Sequence, residues 1–276
     1  MSEVRIFVVA GWELRGAVRS RWVIGTAIAF AAIALAVTLL GLRSLSTLGL
    51  SGVGPASAGL VNLGVLLPPL MGLLLGAGSL AGARERGILA MMVVQPVRRW
   101  TLIGGMFVGL AGALWLTIAL GFAAAALVLA GVAETSDLGS LGLMVLTTLA
   151  VGTAGLAIGI GLSSLASGRT QAVSLAVAIW FVLALGMDLA LAGLGPAVRL
   201  GPGGLLIAVL LNPLEAARVL ALLGVSPGGT ALGPFGAYLL DRFGVTGSAV
   251  MLGASLAFWC VAPLVIARAA LKRRGG

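Results

Sequence analysis

Between Trp22 and Leu42 the chain carries no charge, and neither do 60–81, 102–131, 138–166 and 247–267; the run 172–195 carries one, Asp188. At about 1.5 Å rise per residue, each run is long enough as a helix to cross a hydrocarbon layer of roughly 30 Å. A helix that is apolar on every side must be surrounded by lipid or by other helices. Six such runs leave few alternatives. Composition agrees: the chain is 60% hydrophobic and 9% charged, whereas about 25% of a soluble domain is charged. The expected fold is an all-α integral membrane protein with six transmembrane helices, at about 22–42, 60–81, 101–131, 138–166, 172–195 and 247–267. The first run is longer than a signal h-region. The triplet Ala56–Ser57–Ala58 lies well past it, so cleavage is not expected.

The charges orient this arrangement. With six spans, 1–21, 82–100, Arg169 and the C-terminal tail share one side. That side collects thirteen of the 17 Lys and Arg residues but three of the 8 Asp and Glu residues. Basic residues accumulate on the cytoplasmic side of membrane proteins. Both termini are therefore expected inside, in the cell inner membrane. A net charge of +9 and a pI near 11.7 would suggest nucleic acid in a soluble protein. Here the same charge is explained by topology, and no nucleic-acid partner is expected.

Several chemistries are excluded. There is no histidine, and Cys260 is the single cysteine. Ser–His–Asp, Cys–His and imidazole or thiolate metal sites cannot be assembled from one chain. Lys272 is the one lysine, and it sits between Leu271 and Arg273. A phosphate-binding loop needs Gly-Lys-Ser/Thr. Any ATP-driven activity must therefore use an engine on another polypeptide. The methionines are scattered without an M-x-x-x-M pair, so they read as packing rather than as a copper site. The pairs Gly72/Gly76, Gly78/Gly82, Gly105/Gly109 and Gly155/Gly159 would permit close helix crossings. With 43 glycines in 276 residues, however, chance supplies such pairs.

Residues 1–21 mix Glu3, Arg5, Glu13, Arg15, Arg19 and Arg21 with Val4, Phe7, Val8, Leu14 and Val18. This pattern fits an amphipathic elbow helix on the cytoplasmic membrane surface, or a solvated basic leader. The 82–100 loop holds Arg84, Glu85, Arg86, Arg98 and Arg99 around Ile88, Leu89, Met91, Met92 and Val94, with Pro96 as a helix stop. It reads equally as an ordinary basic loop or as a helix that docks into a soluble partner. Pro68–Pro69 should kink the second span. The stretch 196–246 is rich in Gly and Pro and reads as an insert on the outer face. Within it, Asn212–Pro213–Leu214–Glu215 has the form of a helix start, with Asn as N-cap, Pro at N1 and Glu at N3. Glu215 and Arg218 then lie one turn apart and can pair. Asp188 falls near the outer membrane boundary. It fits an anchor to Arg199 or Arg218 at an outer gate, or a carboxylate snorkelling from a helix end; an ion pair suits it better than a proton relay, which would need partner groups.

The segments Glu85–Arg86–Gly87–Ile88–Leu89 and Gln95–Pro96–Val97–Arg98–Arg99 resemble the E-R-G-T-L…x-P-V-x-R loop of ABC-2-type permeases. Trp12–Glu13–Leu14–Arg15 with Arg19–Ser20–Arg21–Trp22 resembles the interfacial elbow that precedes their first span. Ile179–Trp180–Phe181 with Asp188, and Leu211–Asn212–Pro213–Leu214–Glu215–Ala216–Ala217–Arg218, resemble most closely the branch that serves nitrous-oxide-reductase maturation. The resemblance covers nearly the whole chain. It implies a type V (ABC-2) exporter-like fold and a non-catalytic permease subunit acting as a homodimer. ATP and Mg would sit on a separate ABC ATPase, and a periplasmic accessory protein is a possible partner. It also implies an ATPase-coupling set of Arg84, Glu85, Arg86, Gly87, Pro96, Arg98 and Arg99, and an outer gate or partner contact at Asp188, Asn212, Pro213, Glu215 and Arg218. Ala83 and Ala90 stand where the family often has acidic residues, and Ile88 where Thr is common, which leaves Glu85 as the main acidic anchor. Two other functions remain open: an ABC-2 exporter of a lipid, drug or peptide, and an ATP-independent secondary transporter. The second would ordinarily place polar groups at mid-membrane, and these runs lack them.

Overall fold

A computed structural model describes residues 2–48, 54–87, 99–129, 138–194, 201–226 and 228–274. Among these, the chain is helical throughout and has no strand. The elements are α1 (Ser2–Val18), α2 (Arg21–Leu48), α3 (Gly54–Glu85), α4 (Arg99–Leu129), α5 (Leu138–Leu165), α6 (Arg169–Leu194), α7 (Pro202–Leu211), α8 (Pro213–Val225) and α9 (Gly233–Arg274), with one 3₁₀ turn at Thr230–Leu232. Six of them are long and apolar enough to cross a membrane: α2, α3, α4, α5, α6 and α9.

The core is the crossing of α3 with α5, the most extensive contact in the molecule. Glycine makes it possible. A Cβ on Gly155 would lie 2.5 Å from the Pro69 carbonyl oxygen and 2.9 Å from its Cα. A Cβ on Gly72 or Gly76 would strike the backbone of Gly152 or Leu156, and one on Gly159 the backbone of Leu73. Two of the G-x-x-x-G pairs that composition alone would produce thus carry the closest backbone approach, as small residues do where helices must pack in lipid. Around this crossing Leu73, Ala77, Leu80, Leu156 and Ile160 are fully buried. Helix α1 lies along α4, α2 packs on α3 and α4, and α9 covers α5. Phe30 of α2 seats over Gly121 of α4 and meets Phe122 edge to face at 5.9 Å.

Helix α3 runs on through Pro68–Pro69. Neither proline can donate to the preceding turn. Beside the gap, the Trp180 indole of α6 donates to the Leu66 carbonyl at 2.9 Å.

The stretch expected as an outer insert is mostly helical. Helices α7 and α8 meet at 113°, and α8 is inserted among α5, α9 and α3, with Leu214, Ala216, Ala217 and Val219 buried. The apolar run that forms α7 has ten residues, too few to span, so hydropathy alone leaves it outside. A sharp bend between two helices frees backbone groups that other groups must satisfy. Here Ser255 Oγ and Trp259 Nε1 donate to the Leu210 carbonyl at 2.7 and 3.4 Å. Asn212 Nδ2 donates to the Leu183 carbonyl at 2.7 Å, while its Oδ1 accepts from Leu214 N–H at 3.0 Å. The last span begins earlier than its apolar run: α9 starts at Gly233 and is broken at Gly244, whose φ of 67° is open to glycine.

Candidate functional site at the arginine-rich end

Helix α3 ends in Arg84 and Glu85, and both side chains turn back onto the chain. Arg84 Nη1 donates to the Ala166 carbonyl at 2.7 Å, just past the end of α5. Glu85 Oε1 accepts from the Arg169 backbone N–H at 2.7 Å, at the start of α6. One basic and one acidic side chain thus complement the C-terminus of one helix and the N-terminus of the next, each with the sign the helix dipole favours. Gly168 leaves room for the carboxylate, because a Cβ there would lie 2.9 Å from Glu85 Oε1. In the same short turn, Gln171 Oε1 accepts from both the N–H and the hydroxyl of Ser167.

A second tie lies one turn deeper. Buried Ser163 of α5 donates to the Ala77 carbonyl at 2.7 Å and accepts from the Ala81 N–H at 2.8 Å. Its hydroxyl bridges one i→i−4 step of α3. The glycine crossing, the Ser163 bridge and the Arg84–Glu85 clamp together join α3, α5 and the start of α6 into one block.

Beside this block opens a cavity of about 370 Å³, lined by residues from α1 to α4 and α6. Glu13, Arg86 and Arg169 contribute charge, Ser20 and Ser79 hydroxyls, and Trp12 and Trp22 rings, while Leu74, Met106 and Val173 are among its apolar residues. Burial pushes the Glu13 carboxyl above its ordinary value of 4.5, and the Arg86 charge opposes that rise. At the same end, the Arg268 guanidinium of α9 lies 5.1 Å over the Trp100 ring of α4.

The residues expected as a coupling set are therefore placed unevenly. Arg84 and Glu85 form the clamp, Arg86 faces the cavity, and Gly87 follows in a left-handed turn with φ of 72°. Arg99 begins α4. Pro96 and Arg98 lie outside the described residues, as do the docking-helix residues 88–94. Arg169, Ser163 and Glu13 were not singled out as site residues from sequence. Arg169 had a signal, as the basic residue beside the one polar turn between α5 and α6.

The second expected set gathers at the other end, since Asp188 lies about 28 Å along α6 from Arg169 at the usual helical rise. Asn212 caps α8 with Pro213 behind it and Glu215 in the first turn. Glu215 is buried and pairs with Arg218 at 2.8 Å, while Asp188 approaches Arg218 at 3.9 Å from a largely exposed position. Arg199, the other partner considered for Asp188, lies outside the described residues. No group of His, Cys, Asp and Glu residues that could hold a metal ion occurs among the described residues.

A family model described as "ABC-2 family transporter protein" matches residues 7–275. A relative from Pseudomonas aeruginosa, named "Probable ABC transporter permease protein NosY", is 32% identical over 278 residues, covering 98% of each chain. A second relative of the same name, from Stutzerimonas stutzeri, is 30% identical over 276 residues, covering 98% of this chain and 99% of that one.

Proposed function

The chain belongs to the ABC-2 transporter family and is a multi-pass membrane permease subunit similar to NosY, and on that premise we propose that it couples ATP hydrolysis on a separate ABC ATPase to movement across the inner membrane. It does so as a homodimer with both termini cytoplasmic. ATP and Mg are held by the partner, because the one lysine of this chain stands outside any phosphate-binding loop.

The observation that supports this best is the clamp. The 82–100 loop hangs from Glu85, and Glu85 and Arg84 are hydrogen-bonded to the α5–α6 turn. A push by an ATPase on the loop moves α3, α5 and α6 together, since interlocked helices shift as bodies rather than deform. The contact surface is Arg86, Gly87 and the loop that follows through Arg99, with Glu85 serving the clamp as well as the partner. At the far end of α6 and α8, Asp188, Arg218 and Glu215, with Asn212 and Pro213 behind them, receive the movement and meet a periplasmic accessory protein. The resemblance of the 179–181 and 211–218 segments to the nitrous-oxide-reductase maturation branch supports the reading that the movement serves copper-site maturation of that enzyme.

The test is co-expression with a candidate ABC ATPase from the same organism. The expected result is a complex that hydrolyses ATP, and a Glu85→Lys variant whose hydrolysis no longer responds to assembly with the permease. An ATPase that never co-purifies, or a Glu85→Lys complex that behaves as wild type, would sink the coupling claim. Deleting the gene should leave the reductase without its copper centre. An intact centre would move the reading to an ABC-2 exporter of a lipid, drug or peptide.

A further inference from the structure

Two guanidinium groups share one floor in the cavity at the arginine-rich end. Helix α3 carries glycine at 78 and 82, and the two arginine side chains lie against it there. Measured from where a Cβ would stand, Arg169 Nε and Nη2 lie 3.7 and 3.9 Å from Gly78, and Arg86 Nη1 and Arg169 Cδ lie 3.5 and 3.6 Å from Gly82. Among the described residues, neither guanidinium makes a hydrogen bond or an ion pair; the Arg169 contact with Glu85 uses its backbone N–H. Glu13 lines the same cavity and acts on Arg86 at longer range. Two like charges placed side by side without a bonded counterion repel one another. An anion between them removes the repulsion and accepts their planar, forked donors, a geometry that suits phosphate.

The remaining lining says what kind of phosphate. Trp12 and Trp22 are exposed at the cavity, and tryptophan collects at the level of lipid head groups. Leu74, Leu75, Met106, Leu110 and Val173 supply apolar lining. A small free anion has no use for apolar walls, whereas a lipid puts its head group on the arginines and its chains against the leucines.

We propose that this cavity binds the phosphate head group of a phospholipid from the adjoining leaflet, held by Arg86 and Arg169 over the Gly78–Gly82 floor. The bound lipid fills the space between the elbow helix α1 and the α3–α6 corner. It ties α1 to the block that carries the 82–100 loop. The proposal concerns a resident lipid and stands whether or not the ATPase reading holds, because its test uses the permease alone.

The test uses the purified full chain in detergent. Native mass spectrometry reads lipid retention, and tryptophan fluorescence reads thermal stability. Phosphatidylglycerol is compared with a phosphate-free galactosyl diacylglycerol and with inorganic phosphate. Phosphatidylglycerol should be retained and should raise the melting temperature; the galactolipid and inorganic phosphate should do neither. An R86Q/R169Q double variant should bind the phospholipid about tenfold more weakly or worse, as loss of charge-assisted hydrogen bonds implies. Gly82→Leu keeps both charges and a helix-compatible backbone but fills the floor, and it should weaken retention similarly. Equal retention by wild type and both variants refutes the site, as does equal stabilisation by the galactolipid. Full stabilisation by inorganic phosphate overturns the lipid assignment in favour of a free anion.

Discussion

Replacing Gly155 by alanine tests the α3–α5 crossing on which the mechanical argument rests. The added Cβ would stand 2.5 Å from the Pro69 carbonyl oxygen, 2.9 Å from its Cα and 3.1 Å from its carbonyl carbon. All three are backbone atoms, so no rotamer change relieves them. Ordinary contact requires the helices to part by roughly 0.9 Å, and a gap of that size forfeits a quarter to a half of each dispersion well along the seam. Overpacking of this kind costs about 1–3 kcal/mol. Alanine returns about 1 kcal/mol of helix propensity over glycine, so the net loss should be about 0–2 kcal/mol. Gly104 of α4 is the control. A Cβ there meets nothing within 4 Å, so Gly104→Ala keeps the propensity gain alone. The propensity gain is common to both, so the two variants should differ by the overpacking cost of about 1–3 kcal/mol, or roughly 2–12 °C in melting temperature at this chain length. Scanning tryptophan fluorescence of detergent-solubilised protein measures both. Indistinguishable melting curves would refute the close crossing, and with it the claim that α3 and α5 move as one.

Asn212→Ala removes the cap of α8 and the bridge to the Leu183 carbonyl; it should lower stability by about 1–2 kcal/mol, with Asn212→Asp keeping the cap and losing the bridge. Glu215→Ala strips half-buried Arg218 of its 2.8 Å partner, whereas Asp188→Asn loses an exposed contact at 3.9 Å. The first should therefore lower the melting temperature by several degrees and the second hardly at all, and equal effects would deny the ranking. Glu13 gives a pH test. Its folded value is raised by burial above the ordinary 4.5, so the folded state holds its proton more tightly than the unfolded state. Stability attributable to this group should fall as pH rises from about 4.5 through the raised folded value. Glu13→Gln should flatten that part of the stability–pH curve, and an unchanged slope would exclude Glu13 as its source.

The spanning helices were legible because bilayer thickness turns hydropathy into length, and five of them span uncharged runs read directly from the chain. The α7–α8 elbow was not. Neither of its arms is long enough to register as a span, and its place inside the bundle depends on hydrogen bonds from Asn212, Ser255 and Trp259. Local chemistry still marked the start of α8, since Asn–Pro–Leu–Glu is a capping pattern whatever surrounds it. The glycine pairs show the reverse case. Gly72/Gly76 and Gly155/Gly159 make the tightest crossing, but glycine is so abundant here that spacing could not separate them from chance.

Glu85 is the residue whose meaning changes most between sequence and structure. Spacing alone presents it as a lone acid in a basic loop, free to meet a partner. In the fold its carboxylate accepts from the Arg169 N–H, eighty-four residues away, while Arg84 beside it donates to the Ala166 carbonyl. Sequence separation of that order hides the pairing, because helix caps are legible from sequence only when the capping residue is a neighbour. A partner that competed for Glu85 would release the start of α6 and uncouple the helix whose far end carries Asp188. A partner that presses on the loop and leaves Glu85 in place would move α6 with α3. The two modes predict opposite responses to Glu85→Gln, which keeps a weaker acceptor for the Arg169 N–H and loses the charge. If the clamp matters more than the external contact, Glu85→Gln should retain most of the coupling that Glu85→Lys abolishes. If direct charge pairing with the ATPase dominates, the two variants should fail alike.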